Sequence, residues 1–584
     1  MTKQAMAQAF RPADVKESEV DSSILTIVAD DYLCKVVSDA NGCSLVESPL
    51  RSSPDCGDVA FSQVRFDRSE RQLSIFKPTL SGRPIYYHIN SNGDFFCSTH
   101  ISLLRKAGVV IEENPDVLPE FFVYRHVMPP RTLYRNIEQL YSGGRLCVQI
   151  ATDRCRIRSV GCYEIPGENA DIRSLSDAAR QIYDRLVASL EKLTPCKDEV
   201  AALLSGGIDS TTLCRICQDR LGIQASYSTE YPFEEPELNM ERRYALSAGK
   251  ALGTNHLHYE TTTPDYLVGF LKAVALAEEP VHHLQSPCMH LLFHGGIPQE
   301  KRIVIQGLGA GGAFGNFRNY LYMMGKPVFR LLSKKPLRVL LKVISKATGR
   351  GKGYVHGLEQ CASKYPLSDP GNPLWSWHDL YGSKKWACDY FQVTEKDIII
   401  GRYNSMAKFE QGSIQDVASL YSLLGDEAVT LGINVKIAEG NKRILYSPFY
   451  DSTVLDYVFS IPWRWKLKGP ENALRKEMAR QGKVPEFILA RPKSGFGIRT
   501  RHWAERGGTF EPLVPLAAKV VEERRIRETQ SADIAMAMTF WNILNYSIWK
   551  RLCIASEPLE VLLGELREAM SRSPKEERIA EFSG

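Results

Sequence analysis

The sequence predicts an α/β protein in two parts: a layered, largely antiparallel α+β domain, then a doubly wound parallel sheet with helical additions. Three observations carry this expectation. From Ile24 to about Val160, short strand-like runs are separated by Gly, Asn, Asp and Ser turns. From Ser176 onward strand and helix patterns alternate, as in βαβ units. At 584 residues the chain is long enough for more than one domain.

Residues 1–22 are polar, end in the charged run Asp14 to Asp21, and read as a mobile N-terminus. The first domain is placed at 23–168. Its strands are expected at Ile24–Ala29, Val59–Val64, Gln72–Phe76, Pro84–Ile89 and Arg145–Ile150, with helices at His100–Lys106 and Asp116–Tyr124. The chain turns polar around Pro166 to Leu175, which marks the boundary. The second domain is placed at 169–560. It should open with an amphipathic helix over Arg180–Leu193, a buried strand over Val200–Leu204 and a helix over Thr211–Arg220. A strand at Ala225–Thr229, a helix at Met240–Leu252 and a buried strand at Ile303–Gln306 follow. Beyond about Tyr320 the pattern is mostly helical, and 561–584 reads as a polar tail.

Composition narrows the class. With 44% apolar and 24% charged residues the chain can build a large core and is not disordered overall. No apolar run approaches the roughly 18–20 residues that span a bilayer, and the stretch from Met1 to Val20 is no secretory signal. Fourteen scattered cysteines fit a reducing cytoplasm. Cys214 and Cys217 form a C-x-x-C inside a helix, where packing is the expected role. A net charge of +5 is too small on this length to imply nucleic acid. Twelve lysines and arginines with no acidic residue lie between Lys301 and Leu358, and a basic amphipathic insertion is expected at about 320–358. It reads either as surface helices with solvated lysines or as a docking face for an acidic partner: a carrier protein, a peptide leader or an anionic membrane surface. Nucleic acid is not expected, because base-stacking aromatics and a recognised module are lacking. His282, His283, His290 and His294 cluster locally without ligand spacing and read as pocket lining or packing.

The most informative segment is Ser205-Gly206-Gly207-Ile208-Asp209-Ser210, between the Val200 strand and the following helix. Small residues at a helix N-terminus form an anion cradle, since backbone N–H groups and the helix dipole face the bound anion. Asp209 would repel phosphate, so its presence suggests a bridging Mg²⁺. The spacing is not that of a Walker A loop. It resembles the pyrophosphate loop of ATP pyrophosphatases, which cleave ATP between the α and β phosphates.

With these landmarks the chain resembles the asparagine synthetase family. Arg65-Phe66-Asp67, Gly82-Arg83-Pro84-Ile85-Tyr86-Tyr87, Arg131 to Tyr134 and Gln139 to Leu146 are similar to that family's first domain. Glu241, Tyr244-Ala245, Leu252-Gly253-Thr254, Glu278-Glu279-Pro280, Ser447 to Asp451 and Arg491-Pro492-Lys493-Ser494-Gly495-Phe496-Gly497 are similar to its second. The resemblance implies an Ntn-hydrolase-like N-terminal domain and an adenine nucleotide alpha hydrolase-like ATP-pyrophosphatase domain. It also implies ATP and Mg²⁺ as cofactors. Ser205, Gly206, Gly207, Asp209, Ser210 and Gly307 would hold ATP and pyrophosphate, Asp209 the metal. Lys493 would neutralise charge developing at the phosphates, while Tyr446 and Arg491 are candidates for substrate contact.

Three departures matter. Thr2 stands where the family's glutaminase has its cysteine nucleophile, and Cys34 cannot supply an N-terminal amine, so a glutaminase domain without its chemistry is expected. Gly311 and Gly312 replace acidic residues in the turn after the Ile303 strand, removing a hard-cation ligand. Ile444 and Tyr446 replace a Glu-x-Arg pair, so the acceptor site should be more apolar and should not prefer aspartate. Three readings remain open. One is a carbon–nitrogen ligase joining a small-molecule or peptide carboxylate to ammonia or an amine. The second is an intramolecular cyclase like β-lactam synthetases or lasso-peptide cyclases. The third is a nucleotide-binding pseudoenzyme.

Overall fold

The computed structural model describes residues 15–20, 25–30, 34–39, 42–47, 62–79, 82–151, 154–232, 240–281, 283–315, 339, 343, 382–406, 412–466, 473–491 and 501–572. Strand β1 (Val15–Val20) pairs antiparallel with β2 (Leu25–Asp30), so part of the segment expected to be mobile is a strand. Strands β3 (Cys34–Asp39), β4 (Gly42–Glu47), β5 (Ser62–Asp67) and β6 (Gln72–Phe76) come next. They are followed by β7 (Tyr86–Ile89), β8 (Phe95–Ser98), β9 (Glu138–Gln139), β10 (Arg145–Ile150) and β11 (Cys155–Gly161). A six-stranded antiparallel sheet has the order β11-β10-β6-β5-β4-β3, and a three-stranded one the order β8-β7-β9.

Period-two alternation explains how the layers stack. Phe66, Leu73, Ile75, Leu146 and Val148 of the larger sheet meet Ile85, Tyr87 and Leu140 in one core. Neighbouring Tyr86 points the other way, into the main core shared with the second half of the chain.

Helices α1 (Ile101–Lys106) and α2 (Leu118–Tyr124) complete this part. Helix α3 (Leu175–Glu191) opens the second, its start set by Ser174, whose hydroxyl accepts from the Asp177 amide at 3.0 Å. Strand β12 (Val200–Leu203) leads into α4 (Ile208–Leu221), which begins three residues before the expected Thr211, so Asp209 lies in a helical turn. Then come β13 (Ala225–Thr229), α5 (Met240–Leu252), β14 (Asn255–Tyr259), α6 (Thr263–Ala277), α7 (Ser286–Leu291), β15 (Ile303–Ile305) and the short α8 (Ala310–Ala313). Helices α9 (Lys384–Phe391), α10 (Glu395–Met406), α11 (Ile414–Leu420) and α12 (Ala428–Gly440) precede β16 (Ile444–Tyr446). After it lie α13 (Ser452–Ser460), α14 (Trp463–Lys466) and α15 (Ala473–Gln481).

The five strands β14-β13-β12-β15-β16 form a parallel sheet. Its central strands β12 and β15 are buried on both faces, as strands covered by helices on each side must be. The order reverses between β12 and β15, and ligands of open α/β sheets bind at the carboxyl ends of strands at such a switch point. Strand β16 lies in the stretch read as mostly helical. Three apolar residues carry too little periodicity to distinguish a strand from a helix. Arg443 holds its entry: the guanidinium donates to the carbonyls of Ile297 (2.7 Å), Pro298 (2.6 Å) and Lys301 (2.5 Å). The chain end also differs from expectation, since Leu559–Arg572 is a helix whose Leu562 and Leu566 are buried. Of the basic insertion, Val339 and Val343 alone are described, both helical and exposed.

Buried charge joins the two parts. The Glu278 carboxylate accepts from the first amides of α1, Ile101 at 2.7 Å and Ser102 at 3.0 Å, and from Lys436 Nζ of α12 at 2.8 Å. Although burial opposes ionisation, Lys436, His100 and the Ser102 amide hold the Glu278 carboxyl well below the usual carboxylate range. Arg402 of α10, fully buried, pairs with Glu120 of α2 at 3.3 Å. Breaking one side of a buried pair strands the other charge. Glu278→Ala is therefore expected to destabilise the protein by about 3–5 kcal/mol in denaturant unfolding. Adding Lys436→Met should recover part of the loss. Equal stability of Glu278→Ala and wild type would contradict this account of the seam.

Candidate nucleotide site

The segment singled out in the sequence closes on itself at the end of β12. Ser205 and Ser210 hydroxyls lie 2.9 Å apart, and the Ser205 amide donates to Ser210 Oγ at 3.2 Å. The Gly207 amide donates to Ser205 Oγ at 3.4 Å. Helix α4 starts at Gly207 without a side-chain cap, which leaves its first-turn amides facing the loop. Gly206 has φ +70°, and a Cβ there would lie 2.3 Å from the Tyr244 carbonyl carbon of α5. Only glycine fits both constraints.

The turn after β15 abuts this loop. A Cβ on Gly307 would come within 3.1 Å of the Ser210 amide nitrogen and 3.3 Å of Asp209 Cβ. Gly309, at φ +102°, passes over the Tyr450 ring. Ser447 Oγ donates to the Leu308 carbonyl at 2.6 Å, and Tyr450 OH to the Leu423 carbonyl at 2.8 Å. The Ser-Pro-Phe-Tyr segment thus fixes the shape of the turn that faces the loop.

Arg491 is brought to the loop as well. Its Nη1 donates to the Ser205 carbonyl at 3.2 Å, its Nη2 to Glu241 at 3.4 Å, and its guanidinium lies 4.5 Å from the Tyr244 ring centre. It holds loop backbone and α5 together. Burial raises the Glu241 pKa, and Arg491 acts against that shift. Lys493 and Thr2 lie outside the described residues.

Tyr446 is not placed as a substrate contact. It is fully buried, with its hydroxyl 2.9 Å from Ser189 Oγ of α3, and Ser189 also donates to Asp451 at 2.9 Å. Its ring packs beneath the sheet because alternate residues of β16 face α3, and Ile444 is buried too. Cys214 and Cys217 are buried on α4, and burial raises both thiol pKa values, as packing residues require. His290 is buried, shares a hydrogen bond of 3.0 Å with Asn441, and is pushed down to about 4 by burial. His282 lies outside the described residues.

Three features escaped the sequence reading. Asp209 accepts from Arg475 of α15 through both carboxylate oxygens, Nε to Oδ1 at 3.2 Å and Nη2 to Oδ2. A cleft of about 80 Å³ opens beside Ser205, walled by Leu203, Tyr227, Met289 and Leu292 with Ser228 and His258 at its polar edge. Ser228 Oγ lies 2.8 Å from His258 Nδ1 and 2.9 Å from His256 Nε2, and burial pushes His256 down to about 4, so it is neutral at pH 7. Finally, a π-helical turn over Tyr421–Glu427 packs on α8. It brings a Glu427 carboxylate oxygen to 3.1 Å from where a Gly311 Cβ would sit. Gly312 is closed against Leu423. Nothing in residue spacing links positions 311 and 427, so this carboxylate is invisible to motif reading. Among the described residues, no group of three or more His, Cys, Asp or Glu side chains converges to hold a metal.

Comparison with known proteins matches this architecture. The asparagine synthase family model covers residues 181–373 and 439–546, just over half of the chain, and a glutamine amidotransferase domain model covers 57–158. The chain belongs to the asparagine synthase family. It is 25% identical over 525 residues to a protein of Mycobacterium tuberculosis named "Putative asparagine synthetase (glutamine-hydrolyzing)", covering 85% of this chain and 76% of that one. It is 22% identical over 549 residues to asparagine synthetase (glutamine-hydrolyzing) 1 of Bacillus subtilis, covering 88% and 80%. Membership makes the chain an ATP-dependent, amide-forming carbon–nitrogen ligase in general type. No described helix is long and apolar enough to cross a membrane.

The Glu427 geometry revises what an acid at the turn would do. Gly311→Asp would set two carboxylates face to face, and like charges at contact distance are destabilising. The variant is expected to lose about 1–3 kcal/mol of stability. Glu427→Gln in the same background should restore most of it in thermal unfolding. A Gly311→Asp protein as stable as wild type would contradict this.

Proposed function

We propose that the chain is an AMP-forming ligase. It activates a carboxylate by adenylation at the Ser205–Ser210 loop and passes the acyl group to ammonia or an amine. The observation that carries this reading is the convergence of that loop with Gly307 at the carboxyl ends of β12 and β15. First-turn amides of α4 and the hydroxyls of Ser205 and Ser210 would receive the β and γ phosphates. The cleft beside Ser205 suits a purine: apolar walls for the ring faces, Ser228 and His258 for its polar edge. The carboxylate attacks the α-phosphorus, pyrophosphate leaves, and the amine then displaces AMP from the acyl carbon. The loop's part is to position the triphosphate in line and to stabilise charge on the leaving pyrophosphate. Lys493 is assigned to the same phosphates, following the Arg-Pro-Lys-Ser-Gly-Phe resemblance.

Mg²⁺ fits the donor chemistry, because the Asp209 carboxylate offers hard oxygen ligands beside the loop. When bound, the ion would neutralise phosphate charge, with waters and phosphate oxygens completing its shell. The domain limits 23–168 and 169–560 belong to this proposal, with the second domain extended through the Leu559–Arg572 helix. The nitrogen donor is assigned as ammonia or an amine rather than glutamine.

Product analysis tests this. ATP incubated with carboxylate and amine pairs should give AMP and pyrophosphate in equal amounts, and glutamine should yield no glutamate. Stoichiometric ADP and phosphate would refute the adenylation chemistry, and glutamate release would refute the donor assignment.

A further inference from the structure

The phosphate loop carries its own counter-ion. Asp209 stands in the first turn of α4, where phosphate is to bind, and a lone carboxylate there would repel the ligand. Both its oxygens accept from Arg475, one from Nε at 3.2 Å and one from Nη2. The pair is largely shielded from water, with 8% of the arginine and 18% of the aspartate side chain exposed. Helix α15, which carries Arg475, packs against α3 and α4, so the guanidinium is delivered by a fixed element.

We propose that Arg475 and a divalent cation compete for the Asp209 carboxylate, which makes cation binding dependent on nucleotide and makes Arg475 a positioning residue for the triphosphate. The inference rests on the nucleotide reading of the Ser205–Ser210 loop. A cation added beside the intact pair would face the guanidinium charge in a partly buried site, so the metal alone is rejected. A triphosphate changes the balance, since it offers the displaced guanidinium a planar, bidentate partner. Arginine then moves from carboxylate to phosphate as the cation takes its place, and no charge is left unpaired. A free Asp209 would instead collect the metal before the nucleotide arrives.

Mn²⁺ binding followed by electron paramagnetic resonance on the full chain tests this. Wild type should take up Mn²⁺ weakly alone and tightly with ATP. Arg475→Gln should bind Mn²⁺ without ATP about tenfold more tightly than wild type, the size of an ordinary coupling between two sites. Adding Asp209→Asn to that variant should abolish the gain. Arg475→Gln should also bind pyrophosphate more weakly, and Arg475→Lys, which keeps the charge without the fork, should fall between in both measurements. A merely structural ion pair predicts reduced stability with Mn²⁺ affinity unchanged. Wild-type Mn²⁺ affinity in Arg475→Gln or Arg475→Lys, with ATP binding intact in wild type, would overturn the competition alone. If wild type binds neither ATP nor pyrophosphate, the nucleotide reading falls and this inference with it.

Discussion

The close backbone approach between Gly307 and the first turn of α4 is the constraint on which the site depends. Two parallel strands can present their carboxyl-end loops to one ligand only if those loops reach van der Waals contact. Here a side chain at 307 would press on the Ser210 amide, and one at 206 would collide with α5. Glycine at both positions lets the loop after β12 and the turn after β15 form one concave surface. Arg491, donating to the Ser205 carbonyl, and Ser447, donating to the Leu308 carbonyl, hold its two halves from behind. The chemistry proposed for the chain needs this surface before it needs any particular catalytic side chain.

Charge is managed by pairing throughout. Glu278, held by Lys436 and accepting from the first amides of α1, and Glu120 with Arg402 tie the antiparallel part of the chain to the second part, each largely out of water. Such pairs add little net stability over apolar packing but make a wrong arrangement costly. Asp209 with Arg475 follows the same rule inside the site, with a different consequence. A pair that must open for ligand links the state of the loop to the presence of triphosphate. Glu427 beside Gly311 shows a third use: a carboxylate reaches the turn from a neighbouring π-helical segment rather than from the turn itself. Segments of that geometry recur at functional sites.

Much of the fold was legible in the sequence because its strongest signals are local. The runs at Gln72–Phe76, Ala225–Thr229 and Ile303–Ile305 and the helix over Met240–Leu252 lie where periodicity put them. Strand β16 was missed because three apolar residues have no period, and β1 because a charged edge strand looks like a polar tail. The closed turn from Ser205 to Ser210 at the end of β12 was legible because its signal is contained in six adjacent residues. Arg475 and Glu427 were not, since each acquires its role by packing against a residue more than a hundred positions away. Tyr446 shows the converse error. A motif position suggested substrate contact, while strand alternation turned its ring toward Ser189 in the core.

Amide hydrogen exchange with and without Mg²⁺-ATP tests the central claim most directly, because it reports on the loop without altering it. Amides of residues 205–213 and 306–315 should become protected together on adding nucleotide, while those of α2 at the seam should not change. Protection that leaves both of these segments untouched would contradict the assignment of this surface as the nucleotide site.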